Sequence, residues 1–204
     1  MIGAISAIAD LIDKSRKIYA AAKNKIGLPD ALQQVAEQLP IVEDILKELL
    51  QAADRQSDAV SNEVKKATDA CLQRAKKLRE IFEEVIPGEE AKRRERYVKA
   101  VKAIGKQGKV EELMKGVMKN LEVLGSNFNL KSHIQTAELL AKLVTGLKDI
   151  EAIPMSVDDD EFRKSAYQNE VTGGGSMYSH QGVGNMNNGP GAGGTFNGAV
   201  TFGS

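Results

Sequence analysis

Apolar residues recur every three or four positions over residues 2–152, the pattern of successive helices that each hide one face. The clearest run is Leu32, Val35, Leu39, Val42, Leu46, Leu49 and Ala53, spaced like the seam of a packed bundle. Pro29 followed by Asp30 marks its start. Pro40 falls inside the run, where a missing N–H and a crowded preceding turn predict a kink or a break. A second stripe, Val60, Val64, Ala67, Cys71, Leu78, Phe82 and Val85, stops at Pro87 and Gly88. Three shorter stripes follow. Tyr97, Val98, Val101 and Ile104 precede Gly105; Val110, Leu113, Val117, Leu121 and Leu124 precede Gly125; Leu140, Leu143, Val144, Leu147 and Ile150 precede Pro154. The fold class predicted is all-α, a helical bundle over residues 1–154.

Beyond Pro154 the pattern ends. Residues 155–170 read as a solvated acidic linker around Asp158, Asp159, Asp160 and Glu161, a run without calcium-loop spacing or its turn glycine. Residues 171–204 hold no Asp, Glu, Lys or Arg and contain eleven of the chain's 19 glycines, so they cannot build a packed core by themselves. Within them, Thr195, Phe196, Val200 and Phe202 supply β-branched and aromatic groups, and Asn185, Asn187, Asn188 and Asn197 can stack as amide ladders. Pro190 and the glycines weaken strand propensity, so composition alone balances an assembling segment against a flexible tail.

Charge and chemistry narrow the function further. Lys+Arg 28 against Asp+Glu 28 leaves a formal net charge of +0, and no aromatic platform accompanies the basic residues, which argues against nucleic acid. A lone cysteine, Cys71, allows no internal disulfide and fits a reducing compartment. The apolar start of the chain lacks a basic leader region and meets Asp10 and Asp13 too soon for a signal peptide. Lys106 and Lys109 follow glycines, but the positions where a phosphate-cradling loop needs its first glycine hold Ala100 and Ala103. His133, His180 and one thiol are too few for a nucleophilic triad or a zinc site. No catalytic residue, cofactor or metal is expected, and an enzyme ranks last among the readings.

Two surfaces remain. Ile2, Ile5, Ile8, Leu11 and Ile12 give the first helix an apolar face, with Lys14, Arg16, Lys17, Lys23 and Lys25 gathered behind it. Such a helix can lie in a membrane interface, although the simpler reading is a core face with solvated lysines. Lys92, Arg93, Arg94, Arg96, Lys99, Lys102, Lys106 and Lys109 form a second basic concentration, read as a solvated helix face ahead of a lipid or partner surface.

Residues 1–154 resemble the SesA domain found at the N-terminus of fungal NACHT and related STAND proteins. The resemblance rests on Gly27-Leu28-Pro29 with Val35-Ala36-Glu37-Gln38-Leu39-Pro40, Ile81-Phe82 with Val85-Ile86-Pro87, Arg96-Tyr97 with Val101, Leu113-Met114-Lys115-Gly116, and Ala152-Ile153-Pro154. The tail, from Gly182 through Asn185, Asn188, Thr195, Phe196, Asn197 and Gly198 to Phe202, is similar to the sigma-type prion-forming motif of fungal signalling systems. The resemblance implies a programmed cell death or incompatibility effector, cytoplasmic at rest, whose tail is templated into amyloid by a STAND/NACHT receptor bearing a similar motif. By analogy with HeLo-like domains it implies self-assembly into fibrils, then contact of the first helix with plasma-membrane lipid through Ile2, Ile5, Ile8, Leu11 and Ile12. Assembly would fall to Asn185, Asn188, Thr195, Phe196, Asn197, Val200 and Phe202. The alternatives are a non-toxic adaptor whose bundle binds a partner protein, and a stand-alone interaction domain with an inert tail.

Overall fold

A computed structural model describes residues 1–55, 61–128, 130, 134–158 and 160, all within one compact unit, Met1–Arg163. Among them six α-helices follow one another: α1 (Ile2–Ala20), α2 (Asp30–Arg55), α3 (Asn62–Val85), α4 (Arg93–Ile104), α5 (Val110–Asn127) and α6 (Ile134–Glu151). Single 3₁₀ turns, Glu90–Lys92 and Lys106–Gly108, flank α4. No strand occurs among the described residues. The expected helical bundle is therefore what the chain forms.

The ends follow local chemistry. Ser61 caps α3 by accepting the Val64 N–H at 3.2 Å, satisfying one of the free donors of the first turn. At its other end α3 stops at Val85, just before Pro87 and Gly88. Gly105 terminates α4 at φ +96°, a conformation that side chains with a Cβ rarely adopt.

The break that Pro40 could cause does not occur. α2 runs unbroken through Pro40, whose ring sits on the exposed face while Val35, Ala36, Leu39 and Val42 stay buried on the other. Burial of that continuous stripe outweighs the roughly 3 kcal/mol that an interior proline costs. Nor does Gly125 end α5, which continues to Asn127. A Cβ on Gly125 would stand 2.8 Å from Leu140 Cδ2, so this glycine lets α6 approach closely instead of stopping the helix.

The packing has a simple plan. α1 and α5 each lie against both α2 and α3, α4 leans on α3, and α6 rests on α2 and α5. One continuous apolar core joins them, running from Ile5, Ile8 and Ile12 through Leu39, Leu46, Phe82 and Tyr97 to Met118, Leu121 and Val157. Val157 lies beyond the expected end of the bundle, and its complete burial shows that the packed chain continues past Pro154.

Candidate functional site: the first helix and its fastenings

The first helix carries the predicted membrane-contact residues, and its faces separate cleanly. Ile5, Ile8 and Ile12 are fully buried, and Ser15 continues their spacing at 0% exposure. Helical geometry puts positions 5, 8, 12 and 15 on one line, and that line meets α2 and α3. Ser15 is tolerated there because its hydroxyl donates to the Leu11 carbonyl at 2.9 Å. Leu11 is half-buried, and Ile2 stands 45% exposed at the start of the helix. The five predicted membrane-contact residues are thus divided, three inside and two toward the edge.

Polar fastenings hold the outer flank. Arg16 Nε donates to Glu43 Oε2 of α2 at 2.7 Å and Arg16 Nη2 to Asp13 Oδ1 at 3.1 Å. Lys17 Nζ reaches Asp13 Oδ2 at 2.6 Å, and its hydrogen bond lowers the Asp13 carboxyl below the usual carboxylate range. Toward the end of the helix Tyr19 meets Phe82 of α3 edge-on, with ring centroids 6.3 Å apart. Lys25 folds back to donate to the Tyr19 carbonyl at 2.8 Å, its Nζ 3.3 Å from the ring centroid. Desolvation, with Arg93 nearby, lowers the Lys25 pKa.

The connection from α1 to α2 is fastened separately. Arg93, at the start of α4 and 5% exposed, donates through Nη1 to the Asn24 carbonyl (3.1 Å), Asn24 Oδ1 (3.2 Å) and the Ile26 carbonyl (2.8 Å). Its Nη2 donates to the Ile86 carbonyl at 3.2 Å. One guanidinium therefore pins the middle of the loop to the end of α3. Gly27, at φ +74°, makes the close approach possible, since a Cβ there would collide with the Glu90 carbonyl oxygen.

This overturns part of the expected solvated basic face. Arg93 is a buried clamp, and Lys109, 5% exposed, directs Nζ to Met155 Sδ at 3.2 Å. Arg94 Nη1 donates to the Ser156 carbonyl at 2.8 Å, and Arg96 Nη2 stands 3.4 Å from Glu84 Oε1. Lys92 pairs with Glu89 at 2.9 Å, and Lys92 and Lys99 are exposed as expected. Periodicity could not reveal the clamp, because the acceptors on the loop lie 67 to 69 residues away in sequence.

Among the described residues no group of three or more His, Cys, Asp or Glu is placed to hold a metal ion, and no helix is long and apolar enough to cross a membrane. The assembly residues Asn185, Asn188, Thr195, Phe196, Asn197, Val200 and Phe202 lie outside the described residues, as do Val60, His133, His180, Asp159 and Glu161.

Comparison with known proteins finds no curated protein and no solved structure that matches. A family model does match, over residues 5–124, which span α1 through most of α5 and include every fastening of the first helix described above. The chain belongs to the SesA family, the N-terminal domain on NACHT NTPases and P-loop NTPases.

Proposed function

We propose that this chain is a programmed cell death effector in NACHT-linked signalling, in which templated assembly of the tail releases the first helix toward lipid. The family, a domain carried by NACHT NTPases, fits a signalling role. The observation that carries the finer reading is the sealed face of Ile5, Ile8 and Ile12, on a helix whose opposite side carries Asp10, Lys14 and Lys17 in solvent. Detached, that helix is amphipathic and suits a membrane interface; docked, it has no continuous apolar face to offer. The loop clamp at Arg93 does not use the docking face, so α1 can swing out while Asn24 and Ile26 stay fastened, once Lys25 releases Tyr19.

Residues 171–204 supply the trigger. Without charge to oppose stacking, and with Asn185, Asn188, Asn197, Phe196 and Phe202 available for ladders, they suit an in-register assembly templated by a receptor with a similar segment. Assembly crowds many bundles onto one fibre, and weak interfacial binding by one short helix becomes strong without any new contact per copy.

The test seeds full-length protein with fibres of the 171–204 peptide beside dye-filled anionic liposomes, with Phe196→Asp as the paired control. Seeded wild-type protein releases dye, and the control neither joins fibres nor leaks. Fibres without leakage would select the adaptor reading, in which the clustered bundle recruits a protein. A tail that stays soluble would remove templating altogether.

A further inference from the structure

Past α6 the chain folds back as a strap over the junction of α4 and α5, and Ser156 closes a relay of hydrogen bonds there. Val110 N–H donates to Tyr97 Oη at 3.4 Å, and the Tyr97 and Ser156 hydroxyls stand 2.6 Å apart. Ser156 Oγ lies 2.9 Å and 2.8 Å from the two Glu111 carboxylate oxygens, to which its proton is donated. The Ser156 N–H donates to Glu111 Oε1 as well, at 2.9 Å. Glu111 is only 5% exposed, and the next residue along the strap, Val157, is fully buried. The strap thus depends on a hydroxyl that donates to a buried carboxylate.

The sequence after that serine runs Val157-Asp158-Asp159-Asp160-Glu161, four carboxylates in five positions. Pro154 and Met155 on its other side are exposed, and the strap lies outside the helices, so a kinase reaches Ser156 when this short segment opens locally against its Glu111 contacts and the buried Val157. We propose that Ser156 is a phosphorylation site for an acid-directed serine kinase, and that its phosphate unseats the strap. Kinase-bound ATP supplies the phosphoryl group. A bond forms from the γ-phosphorus to Ser156 Oγ, the bond to the bridging oxygen breaks with its electron pair leaving on ADP, and the hydroxyl proton passes to the kinase's base.

The phosphate cannot occupy the docked position. It replaces the proton that Glu111 accepts with a group carrying roughly −1.5 to −2 charges at neutral pH, set against a buried carboxylate. Two basic groups beside Ser156 are already engaged, Arg94 with the Ser156 carbonyl and Lys109 with Met155 Sδ. In the adjoining cleft, of about 260 Å³, Glu111, Glu112 and Glu151 outnumber Lys109 and Lys115, and Arg94 is exposed and engaged with the Ser156 carbonyl. Docked and phosphorylated states therefore exclude one another, whatever the tail does.

The test treats the full chain with a purified acid-directed serine kinase and ATP, maps phosphate by peptide mass, and follows amide exchange over 153–158. Phosphate maps to Ser156, and protection of the Ser156 and Val157 amides falls by about tenfold or more. Replacing Asp159, Asp160 and Glu161 by their amides abolishes modification at Ser156 and leaves protection as in unmodified protein. In Glu111→Gln the same phosphate changes protection less, because the repulsion is gone. Absence of phosphate at Ser156 under conditions that modify a control peptide would overturn the site. Phosphate at Ser156 with unchanged or increased protection would overturn the release, by showing that Arg94 and the lysines hold it.

Discussion

Arg16 of α1 and Glu43 of α2 meet at 2.7 Å across 27 residues of sequence, and the same carboxylate accepts Lys47 at 3.1 Å from within its own helix. The ion pair is half open to water, with side-chain exposures of 41% and 17%, so solvent screening keeps its contribution to about 0.5–1 kcal/mol. Glu43→Gln is therefore expected to raise amide exchange along α1 by roughly two- to fivefold while leaving global unfolding nearly unchanged. The difference should shrink in high salt. Equal exchange in both proteins at low salt would mean that the apolar face alone sets the docking.

The apolar docking face is legible in the sequence, because Ile5, Ile8 and Ile12 obey helical spacing and burial acts on spacing. The same rule locates α2 to α6. It fails where a residue's role depends on something distant: Gly125 reads as a stop but serves the approach of Leu140, and Arg93 reads as solvated but donates through both terminal nitrogens to carbonyls of other segments. Pro40 misleads for a related reason, since the cost of an interior proline is local and the burial that outweighs it is not. Ser156 carries a signal in its acidic surroundings, yet only the fold places it on Glu111.

Removing buried volume separates the isoleucines. Ile8→Ala, at a fully buried position, is expected to cost about 2–5 kcal/mol in urea unfolding. Ile2→Ala, at 45% exposure, should stay within about 0.5 kcal/mol, which makes it the clean probe of lipid contact. Similar losses at both positions would show that the start of α1 is packed in solution.

The loop clamp predicts a hierarchy. Arg93 makes hydrogen bonds to groups at Asn24, Ile26 and Ile86, a fork that a lysine ammonium cannot reproduce. Arg93→Lys should lower stability by about 1–3 kcal/mol. Gly27→Ala, forced to positive φ against the Glu90 carbonyl, should cost more than about 1 kcal/mol. Combined, the two should fall short of the sum of their effects, since both act on one contact surface. Strict additivity measured by denaturant titration would separate the loop into two independent attachments.

Cys71 reports on the whole bundle. It is fully buried in α3, and desolvation pushes its thiol from the ordinary 9.0 up to about 12, against the opposing charge of Arg74. Only the thiolate alkylates readily, so labelling near neutral pH is expected to wait for global unfolding and to accelerate in urea as the bundle opens. The raised pKa also fixes a pH dependence. The folded state favours the neutral thiol, so the stability linked to Cys71 is fully present below pH 9.0 and is lost as pH rises toward about 12. Other groups titrate in that window, so the comparison is between wild-type protein and Cys71→Ala. The gap between their urea midpoints should narrow as pH rises from about 8 to about 10.5, because only the wild-type unfolded state gains a thiolate. A gap that holds constant would mean that the thiol loses its proton as readily in the bundle as in the unfolded chain.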